Sequence, residues 1–388
     1  MSLRYLIIGN GVAGTTAAET IRQRDPEGEI SLLTEEDLPF YRRIMLNEYL
    51  AGALAETGLV VHNQEWYDRL RLKLLTSTRV VEAPADRAEI ITDTGLVLPY
   101  DRLLLATGSH SFLPPVPGND RPGVHTLRNI HDARQINTCC SPGGQAVLVG
   151  GGLLGLETGQ ALLQRGMTVT VVEMSPRLLP HQLDDKGAAR LQSLLTARGF
   201  AFRIGASLKE ITGSPAVTGA VLASGEVLPA GLVIFSAGVR PNLELAHCLG
   251  LECDRGIIVD AMMRTSRENV FAAGDVTEFC GVCYGIWPPA QQQGEAAGIA
   301  MTGGDPHYQG SAPATRLKVT GIELAAAGDI DADHRHQSHL EESASVYRKF
   351  VVNDQGQLIG FIMLGDAHDF AAKSRMVAEK APFAPPTK

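Results

Sequence analysis

Hydrophobic and polar positions spell out one series of elements twice along this chain. Leu6–Ile8 is a short apolar run that stops at Gly9-Asn10-Gly11-Val12-Ala13-Gly14. Thr15–Arg24 follows with few breakers and apolar positions at helical spacing, which predicts a helix. A second apolar run, Ile30–Leu33, closes on Glu35. Further on, Ala146–Val149 is again apolar and ends in Gly150-Gly151-Gly152-Leu153-Leu154-Gly155. Leu156–Arg165 reads as a helix ending at Gly166, where a left-handed cap is expected. Val169–Val172 is the next strand, with Glu173 at its end. Strand, G-x-G-x-x-G turn, helix, strand and acid together make a dinucleotide-binding unit. The turn needs glycine because its backbone must approach a pyrophosphate and point N–H groups at it.

The remaining pattern fills in around these units. Arg79–Glu82, Ala88–Thr92 and Leu96–Pro99 alternate like a small antiparallel ribbon, and Leu103–Leu105 is a buried run leading to Ala106-Thr107-Gly108-Ser109. A buried strand that ends in a small residue and a glycine lets a ligand lie against its carboxyl end. Leu232–Phe235 with Ser236-Ala237-Gly238 is the counterpart in the second unit, and Val270–Ala273 runs into Gly274-Asp275. Gly285–Gly294 leads into a helix ending near Met301. From Ala312 the pattern gives strands at Arg316–Val319, Tyr347–Val352 and Leu358–Leu364, a helix at Phe370–Ala378 and a loose tail from Ala381. Residues 110–122 are rich in proline and glycine, marking a domain crossing, and a second such stretch precedes Gln145. The expected fold is α/β, with two Rossmann-like domains and a small C-terminal α+β domain. Residues 1–110 and 243–311 would form the first Rossmann-like domain, with 111–242 inserted in it and 312–388 following.

Composition narrows the class. At 388 residues the chain is long enough for two or three domains. Hydrophobic residues at 44% and charged residues at 20% describe a soluble globular protein with ample core. A net charge of −9 argues against a general nucleic-acid surface. No apolar run reaches membrane-span length, and the apolar N-terminus is consumed by the first strand, so no signal peptide is read there. The default address is the cytoplasm. Six cysteines form no secreted disulfide ladder, but Cys280 and Cys283 make a C-x-x-C.

The two glycine motifs, the A-T-G-like strand ends and Gly274-Asp275 resemble the two-dinucleotide flavoprotein reductases of the pyridine nucleotide–disulfide oxidoreductase superfamily. Tyr41-Arg42-Arg43-Ile44-Met45-Leu46-Asn47-Glu48 looks like a loop of NADH:rubredoxin oxidoreductases and of the flavin domain of NAD(P)H nitrite reductases. The segment Thr315–Ile322 with Gly328-Asp329 resembles their C-terminal segment. Trp287-Pro288-Pro289-Ala290-Gln291-Gln292-Gln293-Gly294 is similar to the flavin-side motif of rubredoxin and ferredoxin reductases. The resemblance departs from the disulfide-reducing branches. No cysteine precedes Cys139, and Ile44 stands where the single-cysteine branch has its thiol. Glu48 stands where the ferredoxin-reductase branch has a lysine.

The resemblance implies FAD on the first unit and NADH on the second. It implies that Gly9, Gly11, Ala13, Gly14 and Glu35 bind the ADP half of FAD, with Arg43 reaching the pyrophosphate or the flavin. Val80, Ala106, Thr107 and Gly108 would close over that cofactor, Asp275 would hold its ribityl chain, and Trp287 would lie beside the isoalloxazine. Gly150, Gly152, Leu154, Gly155, Glu173 and Gly238 would serve NADH. NADH is expected over NADPH because Glu173 accepts a ribose hydroxyl and repels a phosphate, with Arg177 near enough to soften the preference. Glu157 is either a catalytic residue approaching the nicotinamide or a first-turn acid favoured by the helix dipole. The Pro39–Glu48 stretch is either a cofactor flank or an ordinary exposed loop. Cys280 and Cys283 read as a peripheral reduced pair or a working dithiol, and His334, His336 and His339 as a solvated loop or a metal site. The implied activity is NADH oxidation through the flavin to a small one-electron carrier such as rubredoxin, the chain being a monomer or homodimer. Alternatives are an oxidase, a peroxide or disulfide reductase, and a non-catalytic redox sensor. Arg42, Arg316 and Lys318 are the basic residues expected to meet an acidic carrier.

Overall fold

The computed structural model describes residues 2–311, 321–343 and 345–384, together with the backbone of 314–319. The chain divides into two compact units. The first comprises Met1–Leu46, Leu54–Ser111 and Gly238–Ser311, and the second Asn47–Ala53, Phe112–Ala237 and Ala312–Lys388.

The first unit is built on a five-stranded parallel sheet in the order Leu72–Leu75, Glu29–Leu33, Arg4–Ile8, Arg102–Leu105, Val270–Ala272. Tyr5–Ile8 in the middle strand are all buried, as an enclosed parallel strand requires. The helix Val12–Arg24 starts directly at the glycine turn and buries Ala13, Ala17, Ala18 and Ile21. It packs on the helix Trp287–Met301. Small residues let the two backbones approach. A Cβ at Gly294 would lie 2.4 Å from the Ala13 carbonyl oxygen, and one at Gly298 2.9 Å from that of Ala17. Val80–Glu82, Glu89–Thr92 and Val97–Pro99 form the antiparallel ribbon.

The second unit repeats the strand order. Phe200–Ile204, Thr168–Glu173, Gln145–Val149, Leu232–Phe235 and Val124–Thr126 form another five-stranded parallel sheet. In both sheets the strand before the glycine turn is central, flanked by the strand leading to the acid and by the A-T-G-like run. The edge strands differ in origin, since Val270–Ala272 comes late in the chain and Val124–Thr126 comes early.

The C-terminal segment adds a five-stranded antiparallel sheet, ordered Ala314–Val319, Ile322–Gly328, Leu358–Leu364, Tyr347–Val352, Gln337–Glu342, with the helix Phe370–Glu379. Two of these strands escape the hydrophobic pattern. Ile322–Gly328 carries three alanines, which have little β preference. Gln337–Glu342 is a polar edge strand with no fully buried residue, so His339 sits on a strand rather than in a loop. The tail is also less loose than expected. Leu358 donates to the Ala381 carbonyl at 2.9 Å and Phe383 to that of Gly356 at 2.9 Å, while the Phe383 ring stacks on Phe350. The last four residues, 385–388, lie outside the described ones.

A buried charge ties this antiparallel sheet to the helix Asp185–Thr196 of the same unit. Asp184 caps the helix Asp185–Thr196 by accepting from the Gly187 amide at 2.9 Å. Its other oxygen accepts from the Tyr347 hydroxyl at 2.6 Å and pairs with Lys349 Nζ at 3.3 Å. Lys349 also donates to the Ile330 and Asp331 carbonyls at 2.9 and 3.0 Å. An ion enclosed this way is tolerable because every donor has a partner.

Candidate functional site

Each glycine turn brings three backbone segments to near contact. Gly9 has φ +113°, and a Cβ there would lie 2.1 Å from the Ala106 carbonyl oxygen; at Gly14 it would lie 1.9 Å from the Gly9 oxygen. Gly150, at φ +119°, repeats this against Ser236 at 2.3 Å, and Gly155 against Gly150 at 2.3 Å. Gly11 and Gly152 are different, because a Cβ at either would meet nothing within 4 Å. These two are the N-cap residues of their helices and supply no side-chain cap. The helices at Gln64–Arg69, Ile130–Cys139 and Asp185–Thr196 are capped by Asn63, Asn129 and Asp184. The helices starting after Leu243, Ile286 and Asp369 also lack a side-chain cap, so what sets Gly11 and Gly152 apart is the glycine turn with open space beside its Cα. A pyrophosphate would satisfy the amides of such a turn, and the positive helix end favours it. The residues present therefore fit FAD and NADH. Ala13 is buried in the first turn of one helix, and Leu154 is exposed in the first turn of the other.

The acid at each strand end is placed differently. Glu35 is exposed, with Arg79 Nε 3.9 Å from its carboxylate, and Val80 follows, buried, at the start of the ribbon. Glu173 is buried, and its two oxygens accept from the Gly151 and Ser175 amides, each at 2.6 Å. Arg177 does not face this carboxylate. Its guanidinium donates to the carbonyls of Leu183 at 3.0 Å and Pro180 at 3.4 Å and to Asp185 at 3.1 Å. Every nitrogen is thus committed to its own loop, against the softening role expected for it.

Thr107, Gly108 and Asp275 are brought together by residues that the sequence pattern did not single out. Asn242 donates to the Thr107 carbonyl at 2.7 Å, and its backbone carbonyl accepts from the Thr107 hydroxyl at 3.2 Å. The Asn242 amide also donates to the Gly108 carbonyl at 3.0 Å. Ser109 donates to Asp275 at 3.1 Å. The strands Ser109–Ser111 and Val239–Pro241 pair antiparallel, and Gly238, at φ +89°, opens the second of them. Gln293 accepts from the Gly274 amide at 2.8 Å and the Thr277 hydroxyl at 2.9 Å, which fixes the turn carrying Asp275. These partners lie far apart in the chain and carry no local signature. No spacing rule finds them.

Arg43 is half-buried and held by Glu36, which also accepts from the Tyr41 hydroxyl. Trp287 opens its helix and leans on Phe40, with ring centroids 5.8 Å apart at 50°. The aromatics of the Pro39–Glu48 stretch are therefore packed, Phe40 and Tyr41 being buried. Glu157 is the fifth residue of its helix, which starts at Leu153 and has no acid in its first turn. The first-turn dipole reading of Glu157 is thereby corrected. The helix begins earlier than Leu156 because the glycine turn leads straight into helical backbone. All six cysteines are free, and among the described residues no three His, Cys, Asp or Glu side chains converge as a metal site. Among those residues no helix is long and apolar enough to cross a membrane.

Two dinucleotide-type units of one strand order define a flavoprotein-reductase class of molecule. The chain belongs to the pyridine nucleotide-disulphide oxidoreductase family, whose model matches residues 3–294, and that family binds FAD and NAD(P)H. Residues 313–381 match the rubredoxin NAD+ reductase C-terminal domain. The chain is 35% identical to the assimilatory nitrate reductase electron transfer subunit of Bacillus subtilis, over 94% of its own length and 48% of the relative's. It thus spans about half of that relative. It is 30% identical to the ferredoxin reductase component of a chlorobenzene dioxygenase from Cupriavidus sp., covering 99% of this chain and 95% of that one. NADH:rubredoxin oxidoreductase from Clostridium acetobutylicum superimposes with a TM-score of 0.86 at 26% identity, covering 100% and 96% of the two chains.

Proposed function

We propose that the first unit holds FAD and the second NADH, and that the enzyme passes electrons from NADH to a small one-electron carrier, a rubredoxin-type iron protein first among them. The observation that carries this reading is the pair of uncapped helix ends at Gly11 and Gly152, each with an acid beyond the neighbouring strand. A bound flavin would supply the conversion of a two-electron hydride donor into single electrons. The protein's own part is to seat, orient and shield. Gly9, Gly11 and Gly14 admit one pyrophosphate, and Gly150, Gly152 and Gly155 admit the other. Glu35 and Glu173 take the ribose hydroxyls. Thr107, Gly108 and Asp275, braced by Asn242 and Ser109, line the remainder of the FAD cleft, and Trp287 on Phe40 walls it.

The choice of carrier is supported by the match of residues 313–381 to the rubredoxin NAD+ reductase C-terminal domain. It is supported also by the cysteines, all six of them free, with none before Cys139 in the part of the chain that carries Ile44. Arg42 is exposed and available to an acidic carrier. The side chains of Arg316 and Lys318 lie outside the described residues. The test is anaerobic stopped-flow reduction of the FAD-loaded protein by NADH, then mixing with rubredoxin, ferredoxin, nitrite-reductase haem domains, disulfides and dioxygen in turn. Fast flavin reduction followed by fast reoxidation with rubredoxin is expected. A protein that binds no flavin, or one that only dioxygen or a disulfide reoxidises, would overturn the reading.

A further inference from the structure

The segment Asn47–Ala53 clusters with the second unit, and its first residues meet the helix Leu153–Gln164. Asn47 is the brace. Its amide oxygen accepts from the Thr158 hydroxyl at 3.1 Å, which turns its amino group toward Glu157, 3.4 Å away. The Thr158 hydroxyl is shared with the Leu154 carbonyl at 2.7 Å. Glu157 is half-buried. The hydrogen bond from Asn47 is long, and the charge that acts on Glu157 is a second carboxylate, Glu48. Burial first, and Glu48 second, push the Glu157 carboxyl up to about 7, while Asn47 pulls it back in part.

No described cation on the other elements against this helix is free to face Glu157: Phe200 of the strand Phe200–Ile204 packs on Gly159, and that strand's Arg203 is paired with Glu226. Gln145–Val149 carries no titratable side chain. Thr168–Glu173 ends in Glu173, whose carboxylate is committed to the Gly151 and Ser175 amides. Arg165 lies past the far end of the helix, beside Gly52. The strand Ala314–Val319 carries Arg316 and Lys318, whose side chains are outside the described residues.

We propose that Glu157, held by Asn47 and with the exposed Glu48 as its neighbouring charge, is a one-proton site that couples the charge of the bound nicotinamide ring to pH. The inference rests on the reading that the second unit binds NADH with Glu157 toward the nicotinamide. The ring of NAD+ carries a positive charge and that of NADH does not. A carboxylate stabilises the first, whereas a carboxylic acid suits the second. Linkage then requires that NAD+ draws the proton off Glu157 into solvent, and that NAD+ binds more tightly as pH rises. NADH affinity should be flat, or should fall over the same range. Glu157 here is a positioning and charge-matching group for the oxidised ring.

The test is calorimetric titration of the FAD-loaded full chain with NAD+ between about pH 6 and 8, in buffers of different ionisation enthalpy. Affinity should rise about five- to tenfold across that range, with release of up to one proton per NAD+ near its midpoint. Independently, infrared titration of the protein without nucleotide should show a carboxylic-acid band that vanishes near neutrality and is missing from Glu157→Gln. Glu48→Gln should move that midpoint down. Glu48→Lys, which puts a cation beside Glu157, should move it below the range and leave NAD+ affinity flat with pH. Tight NAD+ binding without proton release, or a band indifferent to Glu48→Gln, overturns the inference alone. Absence of any NAD+ binding overturns the nucleotide reading and the inference with it.

Discussion

The two glycine turns have the same sheet order around them, yet they hold their acids in opposite ways. Glu35, beyond the first turn, has a side chain 65% exposed. Glu173, beyond the second, is 9% exposed and hydrogen-bonded to the turn itself through the Gly151 amide. The cause lies in the second residue of each turn. Asn10 is buried and directs its amide away, donating to the Tyr67 hydroxyl at 3.0 Å and accepting from Thr15 at 3.2 Å. At Gly151 a Cβ would stand 3.1 Å from Glu173 Oε2 and 2.6 Å from Leu178. Absence of a side chain there is what admits the carboxylate. In the second unit the acid is thus fixed before any ligand arrives, while in the first it stays free to adapt. A pre-set carboxylate loses little entropy on accepting a ribose hydroxyl and stands firmly against a 2′-phosphate. If the second turn binds NADH as proposed, it is the one fitted to discriminate, and the first the one fitted to hold.

The largest effects should come from what the turns share. Gly9→Ala places a Cβ against the Ala106 carbonyl at a backbone angle that alanine avoids, and Gly150→Ala does the same against Ser236. Each should destabilise its own unit by at least about 3 kcal/mol. Thermal unfolding should show the loss, with flavin retention failing for Gly9→Ala first. A flavin-loaded Gly9→Ala protein of unchanged Tm would show that the strand ends do not need this approach.

Next comes the residue that separates the turns. Gly151→Asn, which makes the second turn read like the first, should expel Glu173 from its two amides. A charge-assisted hydrogen bond of this kind contributes about 1.5–3 kcal/mol, so NADH affinity should fall roughly ten- to hundredfold with FAD content unchanged. Titration of the oxidised protein with a non-reducing NADH analogue checks it. Unchanged affinity would mean that the preset carboxylate is incidental. Glu173→Ala is the gentler version. It should narrow the NADH to NADPH ratio of kcat/KM by about tenfold, mainly by weakening NADH. Arg177 cannot compensate, since its nitrogens serve Leu183, Pro180 and Asp185. A steep gain in NADPH use would show that Arg177 leaves its loop.

Both units were legible from local pattern because a glycine turn between a strand and a helix is a short-range signal. The strands Leu232–Phe235, Tyr347–Val352 and Leu358–Leu364 fall where their apolar runs place them. What stayed hidden is long-range or weakly patterned. Ile322–Gly328 hides in alanines, and Gln337–Glu342 in polar edge residues. Asn242 and Ser109 act across more than 130 residues, on Thr107 and Asp275. The different fates of Glu35 and Glu173 could have been suspected from Asn10 against Gly151. Only the packing of Tyr67 and Leu178 shows which way each carboxylate goes.

The smallest expected effect concerns the thiols, and it separates the turns from the cysteine chemistry found elsewhere in the family. Cys280 is exposed with a left-handed backbone, and Cys283 is half-buried. Burial first, then Glu278, push the Cys283 thiol up, so its reactive thiolate is scarce at neutral pH. A working dithiol needs the reverse, a thiol pulled down by a cation or a helix N-terminus. Neither residue has a disulfide partner, and Ile44, 66% exposed, is apolar where a flavin-side cysteine would stand. If the glycine turns and their acids position the whole reductive step, no sulfur has to take part. Cys280→Ser with Cys283→Ser should then leave flavin reduction by NADH within about twofold of the parent rate, a change of less than about 0.5 kcal/mol in the barrier. Anaerobic stopped-flow at saturating NADH measures it, with thiol alkylation of the parent protein as an independent arm. A rate loss of tenfold or more in both arms would place the pair in the electron path. The functional weight would then shift from the two glycine turns to the loop after Asp275.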